Sequence, residues 1–147
     1  MSDAPRSELD RRAIALLALS TASVPAAPSP ALSQAAGASP RAFRARAFDM
    51  KRRAIENGDQ GYGAVLVADG RIIAESPSRV VSESDPTAHA EMSTIGDAAR
   101  LGVSLAGAVL YSTSIPCAMC QAAASAAGVA RMIYGESLID AGAPRGR

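Results

Sequence analysis

At 147 residues the chain has the length of one domain, long enough to bury a single core. Apolar residues make up 48% of it but aromatic ones only 3%, so the core must be built from small side chains in close approach rather than from large rings. A net charge of +1 gives no strong overall field for a polyanion, two cysteines supply no disulfide framework that would report on redox compartment, and no internal repeat is visible.

In chain order, Arg11-Arg12 comes first, followed by an apolar run over 13–19 that thins into Ser, Thr and Ala. Val24-Pro25-Ala26 offers a small-residue cleavage site near Ala26 or Ala27. Residues 1–27 are therefore expected to be a signal peptide, and the paired arginines point to the twin-arginine route and a periplasmic or secreted product. The alternative is a disordered, alanine-rich leader or the amphipathic start of a helix, on a cytoplasmic protein. The run is too short to span a bilayer, so no permanent membrane association is expected. Residues 28–40 are rich in Ala, Pro and Ser and read as a linker, which leaves 41–147 as the folded domain.

Phe43, Ala47, Met50 and Ala54 recur at the spacing of one helical face. Arg44, Arg46, Lys51, Arg52 and Arg53 fall between them and are expected to face water. Six basic residues within thirteen invite a nucleic-acid reading, but with no aromatic stacking platform among them a solvated helix face is the better account. Asn57-Gly58-Asp59 stops this helix. Residues 64–68 and 71–74 form two apolar runs around Asp69-Gly70, the signature of an antiparallel hairpin with a two-residue turn. A polar loop over 76–85 follows. Asp85 as N-cap and Pro86 at the first helical position predict a helix from there to about Leu101. A strand over 108–112, a helix opened by Pro116 and ended at Gly128, and a strand over 130–134 complete the pattern. Two strand–helix–strand connections imply parallel neighbours. The expected fold is α/β, a three-layer α/β/α sandwich around a mixed sheet that begins with an antiparallel hairpin.

The residues with the most chemistry are also the rarest. His89, the only histidine, lies 28 residues before the first of the only two cysteines, Cys117 and Cys120. Glu91 is two positions beyond the histidine, and Pro116 directly precedes the pair. One imidazole and two thiolates can hold Zn²⁺ tetrahedrally and leave the fourth position for water, whose pKa falls toward neutrality there. Glu91, a carboxylate that is not a ligand, would then carry a proton from the nucleophile to a leaving amine. A redox dithiol would leave His89, Glu91 and Pro116 unused, and a structural zinc site would need a second Cys pair.

His-x-Glu followed by Pro-Cys-x-x-Cys is a signature of zinc deaminases. With Tyr62-Gly63-Ala64-Val65, Asp85-Pro86-Thr87-Ala88-His89-Ala90-Glu91 and Pro116-Cys117-Ala118-Met119-Cys120, the segment 62–135 resembles the cytidine deaminase-like superfamily, in particular its nucleobase and nucleoside branch, which includes guanine deaminases. The resemblance implies zinc as cofactor on His89, Cys117 and Cys120, and Glu91 as the proton shuttle. It further implies substrate contacts at Ser78, Gly63, Ala64 and Ala90, and a homodimer.

The sequence departs from that pattern at three places. Relatives carry an asparagine that hydrogen-bonds the base where an ungapped alignment puts Ser78, and a serine hydroxyl has a shorter reach and one donor. Many carry a glutamate before the Pro-Cys pair, where Ile115 stands here. Only thirteen residues follow Tyr134, where relatives usually continue through a further helix and strand. This is expected of a truncated or degenerate member, or of a pocket completed by another subunit. The main expectation is hydrolytic deamination of a free nucleobase or nucleoside, a guanine-like purine first and a cytosine-type pyrimidine second. The partner is then a small molecule, with no nucleic acid. The alternatives are a nucleic-acid deaminase of the tRNA adenosine type and a non-catalytic zinc protein that keeps the fold.

Overall fold

A computed structural model describes residues 38–146. The expected signal peptide, and the linker up to residue 37, lie outside the described residues. Helix α1 (Pro40–Glu56) is capped by Ser39, whose side chain accepts the Ala42 N–H, with proline in the first turn where no N–H is required. Strands β1 (Gly63–Ala68) and β2 (Arg71–Pro77) form the expected hairpin. At its turn Asp69 and Gly70 have φ of 50° and 70°, the doubly positive geometry that Asp-Gly favours. Helix α2 (Ala90–Arg100), strand β3 (Val109–Ser112), helix α3 (Ala118–Ala126) and strand β4 (Arg131–Tyr134) follow in the expected order.

The five-stranded sheet runs β2-β1-β3-β4-β5, where β5 is Ile139–Gly142. Only β3 and β4 are parallel neighbours; the other three pairs are antiparallel. The α2 connection carries the chain from β2 past β1 to β3, so the expectation of parallel neighbours holds for β3–α3–β4 alone. Strand β5 was not expected, because its four residues are short, mostly exposed and not strongly apolar.

β1 shows how the three layers are held. Its continuous apolar run is buried on both sides, as suits a strand inside a sandwich. Ala64 and Leu66 join Ala90 and Ala98 of α2, Ala124 of α3, Leu110 and Met132 in one core. Val65 and Val67 join Phe43 and Ala47 of α1 and Tyr111 in the other, where the rings of Phe43 and Tyr111 lie 5.4 Å apart. Many of these contacts are made by alanine, so backbones approach closely. Gly63 is the extreme case. A Cβ there would lie 2.2 Å from the Ala47 carbonyl oxygen and 2.4 Å from the Lys51 nitrogen. Among the described residues no helix is long and apolar enough to cross a membrane.

Candidate metal centre

Both helices on the second face start later than proline placement predicts. Asp85 does cap, but it caps a turn: its Oδ1 accepts the Thr87 N–H and hydroxyl, each at 2.7 Å, and the helix begins only at Ala90. His89 is consequently the N-cap of α2, with an extended ψ of 154°, and Cys117 is the N-cap of α3, with ψ of 170°. Their carbonyls accept the first helical N–H groups, from Ser93 and Gln121, but neither side chain caps its own helix. That leaves the imidazole and the thiol free to meet each other, and Cys120 joins them from one turn further along α3.

The three donor atoms form a compact triangle. His89 Nδ1 lies 3.8 Å from Cys117 Sγ and 3.7 Å from Cys120 Sγ, and the two sulfurs are 3.5 Å apart. Zn–S bonds near 2.3 Å and a Zn–N bond near 2.0 Å in a tetrahedron would give edges of roughly 3.8 Å between sulfurs and roughly 3.6 Å between sulfur and nitrogen. The triangle therefore fits zinc without rearrangement, and His89, Cys117 and Cys120 can form a zinc site. The electrostatics agree. Burial pushes the Cys120 thiol well up, and the negative charges of Glu91 and Cys117 push it further. A divalent cation among the donors reverses that penalty and makes the thiolate the stable form. Two helix N-termini facing the cluster favour negative charge in the same direction.

Glu91, in the first turn of α2, is buried, with a relative exposure of 6%. Its Oε1 accepts the Ser112 hydroxyl at 2.6 Å, and its Oε2 lies 3.7 Å from Cys120 Sγ. One carboxylate oxygen is thus tied to the end of β3, while the other points at the donor cluster. Ser112 is a partner that sequence reasoning missed, because nothing in a lone serine at the end of a strand signals a contact 21 residues away.

A cleft of about 230 Å³ opens over this group. His89, Glu91 and Cys117 reach it from below, Gln60 and Tyr62 from the segment before β1, and Ser114 and Ile115 from the segment after β3. Tyr62 and Ile115 are largely exposed, so the walls are partly apolar and open to solvent. None of the four expected substrate contacts lines it. Ser78 is buried and its hydroxyl donates to Asp59 at 3.0 Å, while its N–H donates to the Tyr62 carbonyl. Gly63 serves the α1 packing described above. Ala64 and Ala90 are core residues whose carbonyls both accept from the Thr94 hydroxyl. The ungapped alignment that pointed to Ser78 ran through a polar loop, which holds a local fold of its own.

Asp59 organises that loop. Its carboxylate also accepts the Val81 and Ser82 N–H groups and the Ser82 hydroxyl. Burial raises its pKa, but the hydrogen bonds outweigh this and hold it down at about 2. The sequence showed Asp59 only as part of a helix stop, and partners 19 to 23 residues away left no local pattern.

Residues 39–136 match the family model described as the cytidine and deoxycytidylate deaminase zinc-binding region. The chain is 49% identical to a tRNA-specific adenosine deaminase of Agrobacterium fabrum over 86 residues, 57% of each protein. Among solved structures it superposes on a tRNA:A34 deaminase from a study of A-to-I editing at the wobble position of transfer RNA, with a TM-score of 0.59, 46% identity and coverage of 63% of this chain and 72% of that one. It also superposes on the guanine deaminase of Bacillus subtilis, with a TM-score of 0.63, 36% identity and coverage of 67% and 64%. The chain spans between 52% and 57% of the length of the first three curated relatives it matches.

Proposed function

Because this chain belongs to the cytidine and deoxycytidylate deaminase zinc-binding family, we propose that it is a hydrolytic deaminase whose substrate is adenosine in transfer RNA, converted to inosine. The observation that carries the reaction is the Glu91 carboxylate held beside the His89, Cys117 and Cys120 donors on the floor of an open cleft. Bound zinc would supply the Lewis acidity that makes water nucleophilic near neutral pH. Glu91 Oε2 takes the proton of the attacking water and later returns it to the departing amine, so ammonia leaves and a carbonyl remains. Ser112 keeps Oε1 occupied and thereby fixes which carboxylate oxygen does this work.

The choice of substrate reverses the order expected from sequence. It rests on the 49% identity to a tRNA-specific adenosine deaminase over 86 residues. A free guanine-like base is the second reading, favoured by the superposition on a guanine deaminase. Transfer RNA is a cytoplasmic molecule, so the first reading places the enzyme in the cytoplasm rather than beyond the membrane. Incubation with a tRNA transcript carrying adenosine at the wobble position, and in parallel with guanine, adenine, cytosine and their nucleosides, separates the two. Inosine in the transcript with little ammonia from the free bases is the expected result. Rapid ammonia release from guanine with an unchanged transcript would establish the second reading instead.

A further inference from the structure

We propose that the outward face of α1 is the docking surface for the RNA strand beyond the nucleotide that enters the cleft; this rests on the tRNA reading above. Six basic and two acidic residues give α1 a net charge of +4, whereas the whole chain carries +1. The field absent from the total is therefore concentrated on one helix. Arg41, Arg44, Phe48 and Arg52 follow one another at spacings of three, four and four, which puts them in one stripe roughly 16 Å long. That stripe is distinct from the core-facing Phe43, Ala47, Met50 and Ala54. Phe48 supplies the aromatic element that sequence reading found lacking. It is half-buried, lines a groove of about 290 Å³ with Arg44 and Arg52, and has the Lys51 ammonium 5.6 Å from its ring centre.

The charges on this face are available. Among the described residues Arg41, Arg44, Lys51 and Arg53 have no carboxylate partner within salt-bridge distance. Arg52 pairs with Asp49, but both are substantially exposed, at 66% and 35%, and such a pair exchanges for a phosphate at little cost. Arg46 is committed through a two-pronged contact with Glu75, whereas Arg44 is held only by a backbone carbonyl, which leaves its charge unpaired. The groove also contains Asp49 and Glu136; the Glu136 carbonyl accepts from Arg44 at 2.5 Å. These anchors set its location. Glu136 follows the carboxyl end of β4, and the parallel β3 ends beside it at Ser112, which holds Glu91. At the other end of the stripe, Lys51 and Ile55 approach Gly61, between the cleft residues Gln60 and Tyr62. An RNA strand leaving the cleft would meet arginines for its phosphates and one aromatic face for a base, the combination that single-stranded nucleic acid requires.

The test compares the wild-type chain with Arg44→Gln/Arg52→Gln, Arg44→Glu/Arg52→Glu and Phe48→Ala, using fluorescence anisotropy with a wobble-adenosine tRNA transcript over a range of salt. Zinc content and thermal midpoint serve as fold controls. The glutamine pair should weaken binding about tenfold or more and reduce the slope of log affinity against log salt by about 2, one per lost phosphate contact. The glutamate pair should weaken binding further, and Phe48→Ala should lower affinity without changing the slope. For the deamination itself KM should rise while turnover at saturation stays constant. Unchanged affinity and slope in the glutamine pair, or no RNA binding by the wild type, would overturn the inference. Wild-type binding that depends on these arginines, without deamination of the transcript, would leave the inference standing and remove the tRNA reading. Deamination of the transcript with unchanged KM in the variants would do the reverse.

Discussion

The two helical layers that cover the sheet place their chemistry in opposite ways. On the α2/α3 face the side chains are small, and the reactive groups sit where two helices begin: His89 and Cys117 are N-caps, and Glu91 and Cys120 are buried within a turn of them. On the α1 face the buried residues only pack, and the charge is carried on the solvent side. On the first face the donor set runs from the exposed Cys117 through the half-buried His89 to the buried Cys120 and Glu91, an arrangement suited to holding a metal and moving a proton. On the second, exposed cations alone would suffice to attract a polyanion. The comparison also separates what a substitution should do. Changes on the first face should act on chemistry, and changes on the second should act on stability or affinity.

The sharpest division is expected at Glu91. Glu91→Gln keeps the shape and the Ser112 contact but cannot accept a proton, so turnover should fall by about 10²- to 10⁴-fold while zinc content and melting temperature change little. Gly63→Ala tests the opposite face. The new Cβ meets the backbone of Ala47 and Lys51, which cannot yield as a flexible side chain would, and about 1–3 kcal/mol of stability should be lost. Turnover of the surviving folded protein should be near normal; a variant as stable as the wild type would show that α1 is not seated as described.

Ser112→Ala returns to the first face with a smaller effect. It frees one oxygen of a buried carboxylate, and a hydrogen bond to a charged group is worth about 1.5–3 kcal/mol. Only part of that should reach the transition state, so a rate loss of roughly tenfold is expected, which Ser112→Thr should partly restore. The smallest effect is expected at Asp59, which holds the loop beside the cleft. Its folded pKa is depressed to about 2 from an ordinary 3.8, so its contribution is complete above the ordinary value and disappears as the pH falls through about 2. Asp59→Asn should therefore be slightly less stable than the wild type near neutrality, and urea midpoints of the two should converge as the pH is lowered from 4 toward 2. A constant difference over that range would assign the effect to something other than this ionisation.

The two faces were also unequally legible in the sequence. The donor set was readable because His89, Cys117 and Cys120 are unique in the chain and their spacing carries chemical meaning by itself. The hairpin was readable because Asp-Gly demands one turn geometry. Helix starts were displaced because Asp85 and Pro86 favour a turn as readily as a first helical turn, and the Asp85–Thr87 turn postpones the first helical N–H, from Ser93, to the His89 carbonyl. Helical period located the wet face of α1 but said nothing of Glu136, which comes from the far end of the chain to close a groove against Arg44 and Phe48. Ser112 and Asp59 were unreadable for the same reason: their partners are set by topology rather than by spacing.

The most direct test of the zinc-dependent site is a metal titration of chelated protein. Ammonia release is followed while zinc is returned in known amounts, with the tRNA transcript and with guanine as separate substrates. The account predicts no turnover in the chelated protein and full recovery at one zinc per chain. Turnover that persists without zinc, or recovery that survives replacement of both Cys117 and Cys120 by alanine, would contradict it.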